Sequence, residues 1–310
     1  MVAPRTCLEP RTTMLIISWL LQEVFNTIYF QLFGDQLPEL AMMRAVGTVS
    51  KLCVYPLKSG RRVEADEVSC EQMGPHLGDT ADRSLVVTDE EGGFLTGRRH
   101  PELVLVAAEV LPDGVRLSAP DTPPLVVRPA EGGRARPPLR GAHLVRPRAR
   151  LRWFPLRRSA RRPHVPPFPV RTCDGSAFAD LAGYMLMNEA SVAELNGRLE
   201  RPVGVDAFRA NVVIAGADAF AEDRWRYLAI GDAMFENVKP CTRCLFVTID
   251  PETAVKDAEA QPLKTLRQYR QSSDPAQREV VRDSPLFGIN LGLRRRGVIR
   301  VGDVVYATEK

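Results

Sequence analysis

The most informative stretch of the chain reads Lys239-Pro240-Cys241-Thr242-Arg243-Cys244 and continues into the apolar residues Leu245-Phe246-Val247-Thr248-Ile249. Two cysteines with C-x-x-C spacing occur in several folds. The secondary structure predicted for the residues after the cysteines distinguishes between these folds. A thioredoxin-like redox motif needs its first cysteine at the N-terminus of a helix. The apolar run here instead predicts a strand over 245–250. The stretch therefore favours a strand-rich fold.

A structural zinc site would need further ligands at a matching spacing. The remaining cysteines and histidines are scattered and form no second pair; they are Cys7, Cys53, Cys70, Cys173, His76, His100, His143 and His164. Beside the weaker zinc and redox interpretations, two others stay open. Cys241 and Cys244 are ordinary buried thiols at the start of a strand, or one of them is a lone thiolate ligand of a soft metal. In the second case Arg243 would stabilise negative charge beside it.

On both sides of this stretch along the chain, short segments of apolar or alternating residues predict further strands. They lie at 46–54, 84–88, 103–110, 211–215, 227–230, 233–238 and 298–306. Asn188 is expected to cap a helix whose apolar stripe is Val192, Leu195 and Leu199, and a second helix is expected around 263–271. No βαβ alternation develops. The predicted fold class is strand-rich α+β.

An Arg- and Pro-rich tract interrupts the pattern at 128–171, where thirteen arginines occur. This composition resists both helix and sheet, so we place a linker or a long irregular excursion there. The tract divides the chain into a β-rich lobe at about 45–165 and a second domain at about 171–307. Residues 1–44 form an upstream segment.

The upstream segment has two interpretations. Its apolar run at 14–33 is broken by Gln22, Glu23, Asn26 and Gln31, which disfavours a membrane-spanning helix, although Arg5 and Arg11 ahead of it keep a membrane anchor as an alternative. We favour the other interpretation, in which residues 1–42 lie upstream of the true start of the protein at Met42 or Met43. The composition, with 45% hydrophobic and 26% charged residues, is typical of a globular protein. Scattered cysteines favour a reducing compartment, and we expect a cytoplasmic location.

The net charge of +4 is mild, so no nucleic-acid partner is predicted. The alternative is a basic nucleic-acid-binding protein that uses the arginines of the tract.

Several short motifs occur along the chain in an order and spacing that form a specific set. They are Tyr55-Pro56-Leu57-Lys58-Ser59, Asp82-Arg83, Phe94-Leu95-Thr96 with Arg98, Asn188-Glu189-Ala190-Ser191, Phe208-Arg209-Ala210-Asn211, Cys241–Cys244 with Thr248-Ile249-Asp250-Pro251, and Ser284-Pro285-Leu286-Phe287-Gly288. On these residues the chain resembles MOSC-domain proteins of the amidoxime-reducing type, mitochondrial and bacterial. The resemblance covers about 45–128 and 171–307. It implies a β-barrel-like MOSC domain, an N-terminal β-rich lobe and a cofactor between them.

The cofactor that the resemblance implies is a molybdenum–pterin (molybdopterin) group whose metal is bound by one protein cysteine. The second cysteine of the family motif is the ligand, which corresponds to Cys244. The positions that hold the pterin and its phosphate or line the same pocket correspond to Lys58, Ser59, Arg83, Arg209, Asn211, Thr242 and Arg243. Arginine suits this task because its planar fork grips phosphate oxygens with two hydrogen bonds.

The resemblance implies an oxidoreductase for N-reduction, with a role in detoxification: amidoximes, hydroxylamines and N-hydroxylated bases lose their N–OH oxygen. The chain has no dinucleotide fingerprint, Walker loop or four-cysteine ferredoxin spacing. Its electrons are therefore expected from a separate one-electron donor, ferredoxin-like or cytochrome b5-like, with its reductase. The alternative is a cofactor carrier without catalysis. Departures from the family pattern are Arg99 in place of Gln, Ala254 in place of a turn Gly, and the Arg/Pro tract.

Overall fold

The structure, a computed structural model, describes residues 40–89, 91–128, 150–153, 168–170, 174, 178 and 181–310. Most of the upstream segment, with its apolar run at 14–33, and much of the Arg/Pro tract lie outside the described residues. Within the described part of the chain, no helix combines the length and the apolar character that crossing a membrane requires.

The structure is dominated by strands, as the sequence predicts. In chain order they are β1 Arg44–Val54, β2 Val63–Ala65, β3 Glu67–Glu71, β4 Gly74–Leu77, β5 Thr80–Ala81, β6 Leu85–Thr88, β7 Ala107–Leu111, β8 Gly114–Ala119, β9 Thr122–Val127, β10 Arg150–Trp153, β11 Tyr184–Asn188, β12 Val212–Ala215, β13 Trp225–Ile230, β14 Ala233–Thr242, β15 Leu286–Arg295, β16 Gly297–Arg300 and β17 Val304–Glu309. The α-helices are α1 Glu189–Asn196, α2 Leu263–Tyr269 and α3 Pro275–Val281. Short 3-10 helices span Leu40–Met42, Pro101–Leu105, Val205–Phe208, Ala221–Arg224 and Leu245–Thr248.

A closed barrel forms the centre of the fold. Its strands follow the order β12-β11-β15-β14-β13-β17-β1, and β1 pairs again with β12, so the sheet has no free edge along this ring. Only the β11–β12 pair in this ring is parallel. The barrel encloses an apolar core that includes Leu52, Leu186, Phe235 and Leu291. The predicted strand-rich α+β class with a β-barrel-like domain is confirmed.

Strand β1 joins the two sequence regions, since it belongs to the N-terminal lobe yet closes the barrel through β12 and β17. Smaller sheets stand beside the barrel: β7-β8-β9, β16-β3-β4-β5, and the pair β10-β6. A second apolar core lies in this part and includes Leu57, Leu85, Leu103 and Val115. The N-terminal region is thus built onto the barrel through shared strands.

Helix α1 begins where the sequence predicts. Asn188 has extended backbone, and its Oδ1 accepts a hydrogen bond from the N–H of Ala190 at 3.1 Å. Its Nδ2 donates to Glu222 Oε2 at 3.2 Å, and Ser191 Oγ donates to Glu222 Oε1 at 2.7 Å. Burial raises the pKa of the Glu222 carboxyl, because the charged form is separated from water. The Asn188–Ser191 motif therefore anchors a helix start to a buried acid.

Two predictions of local structure are wrong, and the strand predicted at 103–110 is confirmed only in its second half, because Pro101–Leu105 is a 3-10 helix and β7 begins at Ala107. The segment 245–250 is not a strand: Leu245–Thr248 is a 3-10 helix, and the strand before it, β14, extends through Cys241 to Thr242. The Arg/Pro tract does not exclude regular structure throughout, because Arg150–Trp153 is a strand that pairs with β6. Phe168 and Val170, near the end of the tract, are buried against Val238 and Val281. Pairing and burial supplied by the rest of the fold override the local composition.

A buried ion cluster ties Asp174 to the barrel. Arg294 on β15 donates to Asp174 Oδ1 at 2.5 Å and Oδ2 at 3.1 Å, and its Nε donates to Glu236 Oε2 on β14 at 2.8 Å. All three side chains are almost fully buried. Gly292 leaves the space that the cluster occupies, since a Cβ there would lie 2.8 Å from Arg294 Nη1 and closer still to Asp174.

Candidate cofactor site

The predicted cofactor residues gather around the ring of Tyr55, which directly follows β1. The guanidinium carbon of Arg209 lies 4.2 Å from the ring centroid and that of Arg83 lies 4.9 Å from it. The aromatic face attracts cations and holds planar guanidinium groups by stacking. Two arginines that are distant in sequence are therefore held beside one buried ring. Burial raises the pKa of the Tyr55 hydroxyl, so it stays neutral.

Backbone conformation fixes the direction of both arginines. Arg83 and Arg209 have φ values of 50° and 57°, in the left-handed region that residues with a side chain rarely occupy. Ser59 shares this conformation with φ 68°. Such strained positions persist only where the surrounding structure determines them, and they concentrate at functional sites. Left-handed backbone is thus common to three of the predicted site residues.

Asn211 lies behind the arginines and connects three segments. Its Nδ2 donates to Cys53 O at 3.1 Å and to Asp82 Oδ1 at 3.0 Å, while its Oδ1 accepts from Met185 N at 3.2 Å. Asp82 in turn accepts from Tyr55 N at 2.8 Å and pairs with Arg83. Both amide hydrogens of Asn211 are thereby used inside the protein. The geometry gives Asn211 a positioning role, and its direct contact with a cofactor stays a prediction.

Lys58 and Ser59 continue the segment after Tyr55. The ammonium of Lys58 donates to the backbone carbonyl of Phe178 at 2.6 Å. Ser59 Oγ accepts from the N–H of Gly97 at 3.0 Å. Gly97 lies against Phe246, because a Cβ placed on Gly97 would collide with that ring. The loop at 94–97 therefore lies between Ser59 and the segment that follows Cys244.

The two cysteines occupy different environments. Cys241 lies within β14 and packs against the apolar cluster that includes Met187, Val213 and Phe287. Cys244 has extended backbone, precedes the 3-10 helix Leu245–Thr248 and is half-buried. Thr242, also half-buried, ends β14 between them. Cys244 is thus placed on a short turn at the site, although by a different local structure from the predicted strand.

Arg243 points inward. Its Nε donates to Phe287 O at 2.8 Å, its Nη1 donates to Phe208 O at 2.9 Å, and its Nη2 lies 3.6 Å from Met185 Sδ. Burial lowers the pKa of the guanidinium, while the neighbouring Cys241 and Cys244 favour its charged form. The side chain links the cysteine turn to the residue before Arg209. Its role as a pocket-lining group stays a prediction.

The structure brings together Ser59, Arg83, Arg209 and the turn that carries Cys244, with Lys58 beside them. Asn211 and Arg243 are buried, and the hydrogen bonds described above join their side chains to other protein groups. Sequence reasoning did not select Tyr55, Asp82, Gly97 and Phe246 as site residues. Tyr55 and Asp82 belong to sequence motifs that also contain predicted site residues, so the sequence could have identified them. The packing of Phe246 against Gly97 depends on the fold, and no local sequence pattern predicts it.

The remaining described cysteines have no such setting. Cys53 and Cys70 are buried, and burial raises the pKa of each thiol to about 12. They are therefore protonated structural side chains. Among the residues that the structure describes, no group of three or more His, Cys, Asp and Glu side chains is arranged to hold a metal ion.

The residues present fit an anionic cofactor that takes one thiolate ligand. Two guanidinium groups lie over the buried ring of Tyr55, and that of Arg209 also lies 5.2 Å from the ring of Phe246, two residues after the half-buried Cys244. A phosphate needs such donors, and a soft metal prefers a thiolate. The donor set thus has the chemistry that a molybdenum–pterin group requires.

Comparison with family models divides the chain in two. The MOSC domain model matches residues 175–306, and the model of the MOSC N-terminal beta barrel domain matches residues 46–147. Among curated proteins, the chain is 36% identical over 285 residues to mitochondrial amidoxime-reducing component 1 of Homo sapiens, covering 86% of this chain and 84% of the relative. It is 34% identical over 285 residues to mitochondrial amidoxime reducing component 2 of Bos taurus, covering 85% and 84%.

Proposed function

Because the chain belongs to the MOSC-domain family, with relatives of the amidoxime-reducing type over most of its length, we propose that it is a molybdenum-cofactor-dependent oxidoreductase that reduces N-hydroxylated compounds. The relatives' names support amidoximes as substrates. Hydroxylamines and N-hydroxylated bases share the N–OH group and belong to the same proposal. Detoxification is the role that this substrate class suggests.

One observation carries the proposal: Arg83 and Arg209 are stacked on a shared ring beside the turn that bears Cys244. In this assignment the arginines and Lys58 bind the pterin phosphate, and Ser59 donates a further hydrogen bond. Charge-assisted contacts of this kind are stronger than neutral ones, and the rigid forks lose little freedom on binding. Asn211 and Arg243 keep the binding groups in place from beneath.

Cys244 is assigned as the metal ligand, with Thr242 beside it. Cys241 suits this role less well because it packs into an apolar cluster. When bound, the cofactor supplies two-electron reduction at molybdenum. The protein's part is to direct the thiolate, hold the anionic group and leave room for substrate. Leu245 and Phe94 are exposed large apolar side chains in the segments that meet at Gly97 and Phe246, and we assign them to the apolar part of a substrate.

The electron source in this proposal is a separate one-electron carrier, ferredoxin-like or cytochrome b5-like, with its reductase, since the sequence has no dinucleotide fingerprint and no four-cysteine ferredoxin spacing. The carrier function is the second candidate: the same residues could hold the cofactor for delivery. The relatives' names place those proteins in mitochondria, and a cytoplasmic location for this chain stays a prediction.

The test is to purify the chain from a host that makes the cofactor, then measure molybdenum, pterin and the reduction of an aromatic amidoxime with an artificial one-electron donor. We expect about one molybdenum and one pterin per chain, and turnover that Cys244→Ser removes. Bound cofactor without turnover of any N-hydroxy substrate would favour the carrier. Full zinc occupancy without molybdenum would contradict both candidates.

A further inference from the structure

Phe246 lies two residues after Cys244 and connects the cysteine turn with the arginine layer. Its ring centroid is 5.2 Å from the guanidinium carbon of Arg209, which is also 4.2 Å from the ring centroid of Tyr55. The Arg209 guanidinium therefore has an aromatic ring of the N-terminal region and an aromatic ring of the cysteine turn as neighbours. Its Nη1 donates to Gly60 O at 2.6 Å, which anchors the group at a third point.

The same ring also contacts the loop at 94–97. Gly97 is buried, and a Cβ on it would collide with Phe246 Cε2 and lie 3.3 Å from Ser59 Cβ. The glycine is needed here for close approach, and its N–H donates to Ser59 Oγ. One side chain thus contacts both Arg209 and the glycine that orients Ser59.

We infer that Phe246 is a positioning residue of the site: its ring keeps the guanidinium of Arg209 and the loop bearing Gly97 in register with the turn that bears Cys244. This inference rests on the proposed function, because it concerns retention of the molybdenum–pterin group. In the proposed function, Arg209 binds the phosphate end of the molybdenum–pterin group and Cys244 binds its metal. Both contacts can form together only if the distance between these two residues is fixed. Phe246 contacts Arg209 with its ring and belongs to the same turn as Cys244.

The physical basis is the aromatic quadrupole. A cation over a ring face is attracted to it, and the attraction grows when water is excluded. Leucine fills much of the same apolar volume but has no such face. Phe246→Leu should therefore loosen Arg209 without unfolding the protein.

The experiment compares the purified holoprotein with Phe246→Leu, Arg209→Ala and the double variant, and records molybdenum and pterin per chain after extended dialysis. The thermal midpoint of each protein reports folding. We expect Phe246→Leu to weaken retention on the order of tenfold, and to add little once Arg209 is already alanine. Val255→Ala, at a position that is 64% exposed in the turn that follows, is the control and should retain cofactor as the wild type does.

Gly97→Ala probes the contact from the other side. We expect it to lower retention when Phe246 is present and to be tolerated better beside Phe246→Leu, since the smaller side chain relieves the collision. Equal losses from Phe246→Leu in the presence and absence of Arg209, or full retention by Phe246→Leu, would overturn the inference. A wild type without molybdenum and pterin would instead overturn the proposed function, and that result is visible before any variant is made.

Discussion

At the scale of the residue, the candidate site depends on side chains whose backbone is strained. Ser59, Arg83 and Arg209 all have positive φ, and each such position costs on the order of 1 kcal/mol relative to ordinary backbone. Tyr55, Asp82 and Asn211 supply the contacts that hold two of them in place. This strained backbone is typical of a site in which the guanidinium groups of Arg83 and Arg209 are already oriented before a ligand binds.

Arg209→Ala should weaken cofactor retention more than it changes the reaction, because its proposed partner is the pterin phosphate, remote from the metal. Loss of a charge-assisted contact costs about 1.5–3 kcal/mol, or about a tenfold to hundredfold loss of affinity. The measurement is molybdenum per chain together with turnover per molybdenum. Arg209→Lys, which keeps the charge and loses the fork, should fall between alanine and wild type. Normal cofactor content with abolished turnover would contradict the assignment.

The sequence could identify some of the site residues but could not show how all of them are oriented. The cations Lys58, Arg83 and Arg209 could be selected because they stand in recognisable motifs. What the sequence could not show was direction: Asn211 and Arg243 stand in the same motifs, yet their polar atoms bond to protein groups beneath the site. Direction depends on the fold, and so does the contact of Phe246 with Gly97.

At the scale of the element, periodicity identified the start of α1, the helix α2 and strands such as β1 and β13. It failed at Leu245–Thr248, where the apolar run forms a 3-10 helix that buries Val247 and Thr248 and leaves Leu245 exposed. Short apolar runs cannot be assigned to strand or helix by pattern alone. It also gave no indication of β10, whose backbone pairs with β6, a strand that is distant in sequence.

The turn after the cysteine segment offers a stability prediction. Ala254 occupies the position where the family usually has a turn glycine, and its φ is 61°. Its N–H donates to Asp250 O at 2.9 Å, so the turn is formed in spite of the side chain. Ala254→Gly should stabilise the protein by about 1 kcal/mol, since glycine adopts this conformation without a steric cost.

Chemical denaturation measures this change, and Ala276→Gly in the first turn of α3 is the control. Ala276→Gly should lower the free energy of unfolding by up to about 1 kcal/mol, because residue 276 has helical backbone. A lower free energy of unfolding for Ala254→Gly would show that the turn does not have the conformation described.

At the scale of the whole molecule, barrel closure by β1 joins the two sequence regions, and the buried cluster of Arg294, Asp174 and Glu236 adds a second connection to the barrel wall. The sequence predicted the barrel-like class but not the cluster, whose members lie far apart along the chain. Gly292→Ala should destabilise the protein by about 2–4 kcal/mol, since the new methyl group would enter the space of paired buried charges.

Gly204→Ala is the control for that prediction. A Cβ at Gly204 would have its nearest neighbour, Asp206 N, at 3.9 Å, and the backbone φ is −74°. Gly204→Ala should change the free energy of unfolding by no more than about 0.5 kcal/mol. Equal stabilities of the two variants, measured by denaturant unfolding, would show that the ion cluster is not packed against Gly292 as described.

In the proposed function Cys244, and not Cys241, binds the metal of a molybdenum–pterin group. X-ray absorption at the molybdenum edge of the wild type, Cys244→Ser and Cys241→Ser tests it directly, with turnover of an amidoxime recorded on the same samples. We predict one sulfur ligand fewer, and most activity lost, in Cys244→Ser alone, because a hydroxyl is a harder ligand than a thiolate. An unchanged sulfur count in Cys244→Ser, or equal losses in both variants, would show that Cys244 is not the single protein ligand of the metal.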